Sequence, residues 1–395
     1  MLKSYKYRLC PTEKQKEHFV QSMGCVRYIF NKGLEVKIKH YEKTGKTLSY
    51  FDLTKGFLLE EKEKNEWLKA PNAQSLQSGL RNLDNAFNRY FKKTSKFPSF
   101  KRKNGKQSIQ YSQCVSVYFN KNKIKIPKAG EVSIVFDREF IGKIKTCTVS
   151  KTPTNKFYIS ILVENDLELP AKSEIKSETS IGIDLGIKTF ATISNGEKID
   201  NPKYLRKFLD RLKILQRRAS KKSKGSKNKK KANLKVAKLH EKISNQRNDF
   251  LHKLSSKLIS ENQTIILEGL NIAGMLKNHK LALSISDVSW GEFIRMLSYK
   301  AEWYGNNIIK IGRFDPSSKM CSCCGEINQN LKLSDRFWKC IGCNAEHDRD
   351  VNAAINIKKF GLIKVISGQE LPAELVEMPC SNKDRRRKKS IKKKG

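Results

Sequence analysis

The chain has 395 residues, enough for roughly two or three domains, and its 38% hydrophobic content gives each a modest core, which excludes an intrinsically disordered protein. Eighty Lys plus Arg stand against 39 Asp plus Glu, a formal +41 that repels itself strongly without a large polyanion, so nucleic acid is expected ahead of anionic lipid or a merely soluble basic surface. Residues 381–395 carry nine basic and one acidic residue, so without them the net charge is still +33 and the basic character belongs to the whole chain.

Residues 4–9 alternate like a short strand, Pro11 and Thr12 mark a helix start, and Phe19, Met23, Val26 and Phe30 continue at helical spacing. A helical region extends through Leu76, Leu80, Leu83, Phe87 and Phe91, until Lys96-Phe97-Pro98-Ser99-Phe100-Lys101-Arg102-Lys103 breaks the period. In that loop Phe97 and Phe100 either stack on bases while the lysines hold phosphates, or simply pack; the residues leave both open. From 115 to 163 the period changes to two, in Val115–Phe119, Ile124–Ile126, Val132–Phe136, Thr146–Val149 and Tyr158–Val163, which predicts antiparallel strands of a small barrel. Because residues 4–9 also read as a strand, the barrel is expected to be interrupted by the helical segment. Residues 166–178, polar with Pro170, form a linker.

The second half opens with Ile181–Gly186, Phe190–Ile193, the turn signal Asn195-Gly196 and a short strand near Lys198, a three-stranded meander. Two helices follow, one carrying Leu205, Leu209, Leu212 and Leu215, the other Val236, Leu239, Ile243, Phe250 and Leu254, joined by an exposed lysine-rich run from Lys221 to Lys231. Thr264–Leu267 is an apolar strand ending at Glu268, Trp290–Tyr304 is helical, and Asn307–Ile311 is a further strand. No run of about 18 apolar residues is present and the N-terminal MLKSYKYRLC lacks a hydrophobic signal core, so neither a membrane span nor secretion is expected, and the protein is read as intracellular.

Phosphodiester hydrolysis with two metal ions needs carboxylates converging from different elements. Asp184 in Ile183-Asp184-Leu185 and Glu268 in Ile266-Leu267-Glu268-Gly269 each sit at an apolar strand, where an unpaired charge is costly unless a cation neutralises it. Gly182, Gly186 and Gly269 beside them leave room for a nucleic-acid backbone. Either acid taken alone is equally a helix cap or a lysine's partner. A third candidate lies in His347-Asp348-Arg349-Asp350-Val351-Asn352-Ala353-Ala354, where small residues can pack a helix tightly on a sheet. There Asp350 would face the sheet and Asp348 would be an N-cap, but the residues alone do not separate the two. Cys321-Ser322-Cys323-Cys324 and Cys340-Ile341-Gly342-Cys343 are two C-x-x-C knuckles, the spacing of a zinc ribbon in which Cys321, Cys324, Cys340 and Cys343 close a structural tetrahedron and Cys323 is spare.

With these residues in hand, the chain resembles TnpB, the RNA-guided nuclease of bacterial insertion sequences related to compact type V CRISPR effectors. The resemblance covers nearly the whole chain and is carried by Gly182–Gly186, Leu267–Leu270, the ribbon introduced by Pro316-Ser317-Ser318-Lys319, Arg349–Ala354 and Gln246-Arg247-Asn248-Asp249-Phe250. It implies an α+β multidomain protein: a wedge-like β-barrel of residues 1–10 and 106–165 interrupted by a helical recognition domain of 11–105, and the linker of 166–178. Then follow a RuvC-like, RNase H-type nuclease domain of 179–312 and 345–365, with a zinc-ribbon insert of 313–344. It further implies catalytic, metal-binding Asp184, Glu268 and Asp350, which favours Asp350 over Asp348, with Mg2+ or Mn2+ at the carboxylates and structural Zn2+ at the cysteines. The expected partners are a guide RNA encoded by the transposon end, one protein per RNA, and double-stranded DNA carrying a short motif beside the target. A cytoplasmic bacterial protein acting at the nucleoid is implied. Residues 366–395, which depart from the usual pattern, read as a disordered phosphate-binding tail. A nuclease-inactive RNA-guided repressor would lack one of the acids, and a transposase would act without a guide; both stand as rival readings.

Overall fold

The computed structural model describes residues 1–366 except Phe314 and Leu333, so the expected tail of 366–395 lies outside the described residues save for Ile366. The chain divides into two compact units, Met1–Glu168 and Leu169 onward.

In the first unit, strand β1 (Leu2–Cys10) leads into helix α1 (Glu13–Thr44). Thr12 accepts from the backbone of Gln15 while the Gln15 side chain accepts from Thr12 N, a reciprocal cap that explains why the helix starts there. Short helices α2 (Tyr50–Asp52) and α3 (Leu58–Lys64) precede α4 (Ala73–Phe91). Strands β2 (Gln107–Tyr111), β3 (Ser116–Tyr118), β4 (Lys123–Ile126), β5 (Gly130–Val135), β6 (Lys143–Lys151) and β7 (Phe157–Glu164) follow. With β1 they form one antiparallel sheet in the order β2-β6-β7-β1-β5-β4-β3. Alternation is evident in β7, where Phe157, Ile159, Ile161 and Val163 are buried. They share one core with Phe19, Ile29, Leu76 and Leu80 of the helices.

The expected barrel is not closed. Among the described residues no pairing joins β2 to β3, so these strands are the two edges of an open sheet. Alternation fixes which face of a strand is buried but carries no information on whether the outermost strands meet. The edge at β2 is covered instead by helix: Ser75 Oγ of α4 donates to Gln110 O at 2.7 Å, and Arg27 of α1 donates to the Gln107 side chain at 3.0 Å. In the 96–103 loop the two aromatics divide. Phe97 packs edge-on against Phe87 and Tyr90, 5.5 and 5.3 Å between ring centres, whereas Phe100 is 55% exposed beside α1.

The second unit contains β8 (Ser180–Leu185), β9 (Thr189–Ile193) and β10 (Lys198–Asp200), then helices α5 (Tyr204–Ser220) and α6 (Lys227–Glu261). After β11 (Thr264–Glu268) come α7 (Ile272–Met275), α8 (Ala282–Val288), α9 (Trp290–Tyr304) and β12 (Asn307–Ile311). A two-stranded ribbon, β13 (Phe337–Lys339) and β14 (Glu346–Asp348), leads into α10 (Arg349–Ile366). The main sheet has the order β10-β9-β8-β11-β12, antiparallel through the meander and parallel from β8 to β12. Its interior strand β11 is apolar on both faces because helices cover both. Ile265 and Leu267 pack with Leu254 and Leu258 of α6 and Phe293 of α9, while Ile266 packs with Ile357 and Leu362 of α10.

Helix α10 lies directly on the sheet backbone. A Cβ at Gly182 would collide with Ala354 O and stand 2.6 Å from Lys358 N, so only glycine permits this approach. Gly182→Ala is therefore expected to cost roughly 1–3 kcal/mol by overpacking, read as a lowered urea midpoint of the full-length protein.

Helices α5 and α6 form a long hairpin held by Leu212, Leu239 and Ile243, against which Phe208, Leu215 and Val236 pack. Its outer part, residues 217–238, carries eleven basic residues and no acidic one, nearly all of them exposed. No helix among the described residues is long and apolar enough to cross a membrane.

Candidate active site and metal centre

Asp184 and Glu268 stand near the ends of neighbouring parallel strands, whose register pairs Ile183 with Leu267 one residue earlier. Both strands are fully buried up to these positions, and both acids are half-buried. Asp350 enters from the first turn of α10. Burial, then the charges of Glu268 and Asp350, hold the Asp184 carboxyl up to about 7 despite the opposing guanidiniums of Arg349 and Arg336. Asp184 thus senses both other carboxylates, and such like-charge crowding is what a divalent cation relieves. They are not drawn into a tight cage: among the described residues only cysteine-containing groups bring all donor atoms within 4.8 Å of each other. Two of the acids are held by neighbours instead. Ser317 Oγ donates to Glu268 Oε1 at 2.7 Å, and Arg336 Nη1 donates to both Asp350 oxygens at 3.2 and 3.4 Å. A cleft of about 530 Å³ opens here, lined by Asp184, Asp350, Arg336, Lys188, Arg206 and Trp290 among others.

The ambiguity between the two acids of the Asp348-Arg349-Asp350 segment has a geometric counterpart. Asp348 Oδ1 accepts from Asp350 N and Val351 N, both at 3.1 Å, so Asp348 caps α10; its other oxygen accepts from Lys198 Nζ at 2.6 Å. Burial raises the Asp348 pKa, but the Lys198 and backbone hydrogen bonds outweigh it and the net shift is downward. Asp350, two residues on, lines the cleft. The rest of the segment serves the join between ribbon and helix. Arg349 donates to Lys332 O at 2.6 Å, Asn352 exchanges hydrogen bonds with Met320 O and Ser322 N at 2.8 Å each, and Asn356 donates to Ser317 O and Met320 O at 2.8 and 2.6 Å. Asn352 and Asn356 lie one turn apart, so both reach the first cysteine knuckle from one face of α10.

The Sγ atoms of Cys321, Cys324, Cys340 and Cys343 all lie within 4.8 Å of one another, a set that fits one tetrahedral metal ion. Cys323 stands outside it, grouped with Cys321 and His347. Gln246–Phe250 lies on α6: Arg247 pairs with buried Asp287 at 3.4 Å, and Asp287 also accepts from Leu205 N and Arg206 N at 2.9 and 3.2 Å, pinning the start of α5 beside the cleft. Sequence reasoning missed Arg336, Lys198 and the role of Ser317. Only Ser317 had a signal, its place in the Pro316–Lys319 segment before the ribbon.

A candidate RNA-guided DNA endonuclease of Streptomyces pristinaespiralis is 40% identical to this chain over 365 residues, covering 91% of this chain and 89% of that protein. The chain belongs to the TnpB family. A second TnpB relative, the candidate RNA-guided DNA endonuclease InsQ of Escherichia coli K12, is 30% identical over 400 residues, covering 95% of this chain and 98% of that protein. Three family profiles match: one described as "Probable transposase" at residues 158–279, one as "Cas12f1-like, TNB domain" at 290–357, and a "Helix-turn-helix domain" at 1–46. In this TnpB chain residues 1–46 are not a helix-turn-helix but β1 followed by the single helix α1. The fold is similar to that of the cryo-EM structure of a Cas12f1-sgRNA-target DNA complex, with a TM-score of 0.57 at 18% identity, covering 88% of this chain and 83% of that one.

Proposed function

We propose that this chain is an RNA-guided DNA endonuclease of an insertion sequence, with Asp184, Glu268 and Asp350 as its catalytic carboxylates. The observation that carries the reading is the meeting of Asp184 and Glu268 on adjacent parallel strands with Asp350 on the helix packed over them, in a chain 40% identical to its Streptomyces relative. These oxygen donors suit Mg2+ or Mn2+, which when bound supplies an activated water and charge stabilisation for phosphodiester hydrolysis. The chain's own groups orient that chemistry: Ser317 fixes one Glu268 oxygen, and Arg336 presents a cation in the same cleft, where a phosphate oxygen would meet it. The four cysteines hold structural Zn2+. The strand order β10-β9-β8-β11-β12 supports a RuvC-like domain of 179–312 and 345–365, with the ribbon insert at 313–344.

On this reading residues 1–10 and 106–165 are a wedge, 11–105 a recognition domain and 166–178 a linker. The guide RNA derives from the transposon end, and one protein binds each RNA. Base pairing reads the target while the protein reads a short adjacent motif and the duplex shape. The basic hairpin of α5 and α6 is suited to the phosphates of the RNA scaffold. The protein acts in the bacterial cytoplasm at the nucleoid.

The test is expression with the flanking genomic DNA, sequencing of any copurified RNA, and cleavage of a plasmid library carrying a guide-matched target beside randomised bases. Cleavage that needs the match, one motif and Mg2+ supports the reading. RNA and target binding without cuts replaces it by an inactive repressor, and absence of a discrete RNA overturns guidance. The same assay separates the two neighbouring acids. Asp348→Ala is expected to lose a cap worth about 1 kcal/mol and to keep most of its cleavage, whereas Asp350→Ala keeps the cap and loses cleavage.

A further inference from the structure

A fifth side chain is aimed at the four-cysteine cluster. His347, on β14, is buried, its Nε2 lies 3.0 Å from Cys321 Sγ, and its ring packs 4.8 Å from that of Trp338 on β13. The contact is to the sulfur and not to the centre of the cluster, because the four thiols are mutually within 4.8 Å while His347 falls within that distance of Cys321 and Cys323 without joining the full set. A metal-bound thiolate has no hydrogen to give, so in the loaded ribbon the hydrogen of this contact belongs to Nε2. The residue after His347 caps α10, and Asp350 is three positions on, paired with Arg336, the residue just before β13. The backbone closes the same loop, Arg349 N donating to Arg336 O at 2.8 Å.

We propose that His347 is a positioning residue that donates a hydrogen bond from Nε2 to the Cys321 thiolate and thereby ties metal occupancy of the ribbon to the placement of Asp350. The inference rests on the zinc-ribbon and nuclease parts of the reading above. Donation to the thiolate draws charge off the sulfur and fixes the side chain; the hydrogen-bonded side chain fixes β14; and β14 sets the start of α10. Loss of metal then reaches the carboxylates through three residues of chain, without passing through the main sheet.

Two substitutions separate the hydrogen bond from the packing. His347→Phe keeps an aromatic ring against Trp338 and removes the N–H; His347→Gln removes the ring and restores a side-chain N–H at similar reach. Full-length wild type and both variants are loaded with Co2+ in place of Zn2+. The sulfur-to-cobalt charge-transfer bands, the rate of metal loss to a chelator, and Mg2+-dependent cleavage with the copurified RNA are then recorded. The wild type is expected to give an all-sulfur spectrum. His347→Phe is expected to shift the charge-transfer bands, to release metal roughly 10–100-fold faster and to cleave about tenfold more slowly, with His347→Gln recovering most of all three. Unchanged bands and release in His347→Phe would show a ring that only packs and overturn the proposal. A three-sulfur, one-nitrogen spectrum in the wild type, lost in both variants, makes His347 a ligand and overturns it equally. Altered bands with unaltered cleavage remove the link to Asp350. If the wild type takes up no stoichiometric metal, the ribbon reading fails first and the proposal with it.

Discussion

Asp184→Asn is expected to lower DNA cleavage by roughly a thousandfold or more while leaving guide RNA and target binding intact, and to make the metal-free protein more stable. The first effect follows from removing a carboxylate that the cleft brings together with Asp350 and that senses Glu268. The second follows from the burial of that charge and then from the same crowding. Asparagine keeps the shape of the side chain but removes one of three like charges, which is expected to yield on the order of 1–2 kcal/mol, the usual scale of relieved active-site strain. The sign is fixed by the direction of the shift. With its folded pKa held up to about 7 against 3.8, Asp184 favours its protonated form in the fold, so its penalty is absent below the ordinary value and grows as pH rises toward 7. Thermal melts in chelator should therefore separate variant and wild type above neutral pH and converge near pH 4, and added Mg2+ should narrow the gap by neutralising the wild type. A variant no more stable than wild type in chelator at pH 8 would show that neither burial nor the neighbouring carboxylates penalise the Asp184 charge.

Cys340→Ser is expected to abolish stoichiometric metal retention and to lower cleavage by roughly 10–100-fold without unfolding the main sheet. Cys340 is buried within the four-thiol cluster, 3.5 Å from Cys324 Sγ, and three thiols hold the ion poorly. The ribbon's own apolar core is small, Leu331 and Trp338 beside the cysteines, so on the zinc-ribbon reading it is expected to depend on the ion for its fold. Loosening it frees Arg336 from Asp350 and Ser317 from Glu268, whereas β8, β11 and β12 retain the separate cores formed with α6, α9 and α10. Hydrogen exchange is the decisive measurement: protection should vanish across 317–348 and persist in β11. Loss of protection in β11 would mean that the ribbon supports the whole second unit.

Much of this arrangement is legible in the residues, and the limits are physical. Asp184 and Glu268 stand out because a charge inside an apolar strand is costly, and the cysteine spacing speaks for itself. Asp348 and Asp350 do not separate by pattern, because both are acids at a helix start; the difference lies in which carboxylate turns back to the backbone N–H groups. Arg336 sits in an irregular stretch of a strongly basic chain, where one arginine among many carries no signal. Strand β2 escapes the period-two reading because only two of its five residues, Ile109 and Tyr111, are apolar and buried. The barrel expectation rests on alternation, a property of single strands, whereas closure is a property of two edges, one of which α4 engages.

The hairpin of α5 and α6 has a thermodynamic consequence of its own. Its outer stretch of 217–238 has eleven cations and no internal anion, and three of them, Lys227, Lys229 and Lys230, fall in the first turn of α6, where the helix dipole is already positive. A helical arm built this way is under electrostatic pressure, and the pressure rises as the Debye length grows past about 10 Å below 0.1 M salt. The free protein should therefore fray at this tip on dilution into low salt and be restored by any polyphosphate, so its folding and its counter-ion atmosphere form one equilibrium. A nucleic acid bound there would complete a piece of secondary structure as much as it would occupy a surface.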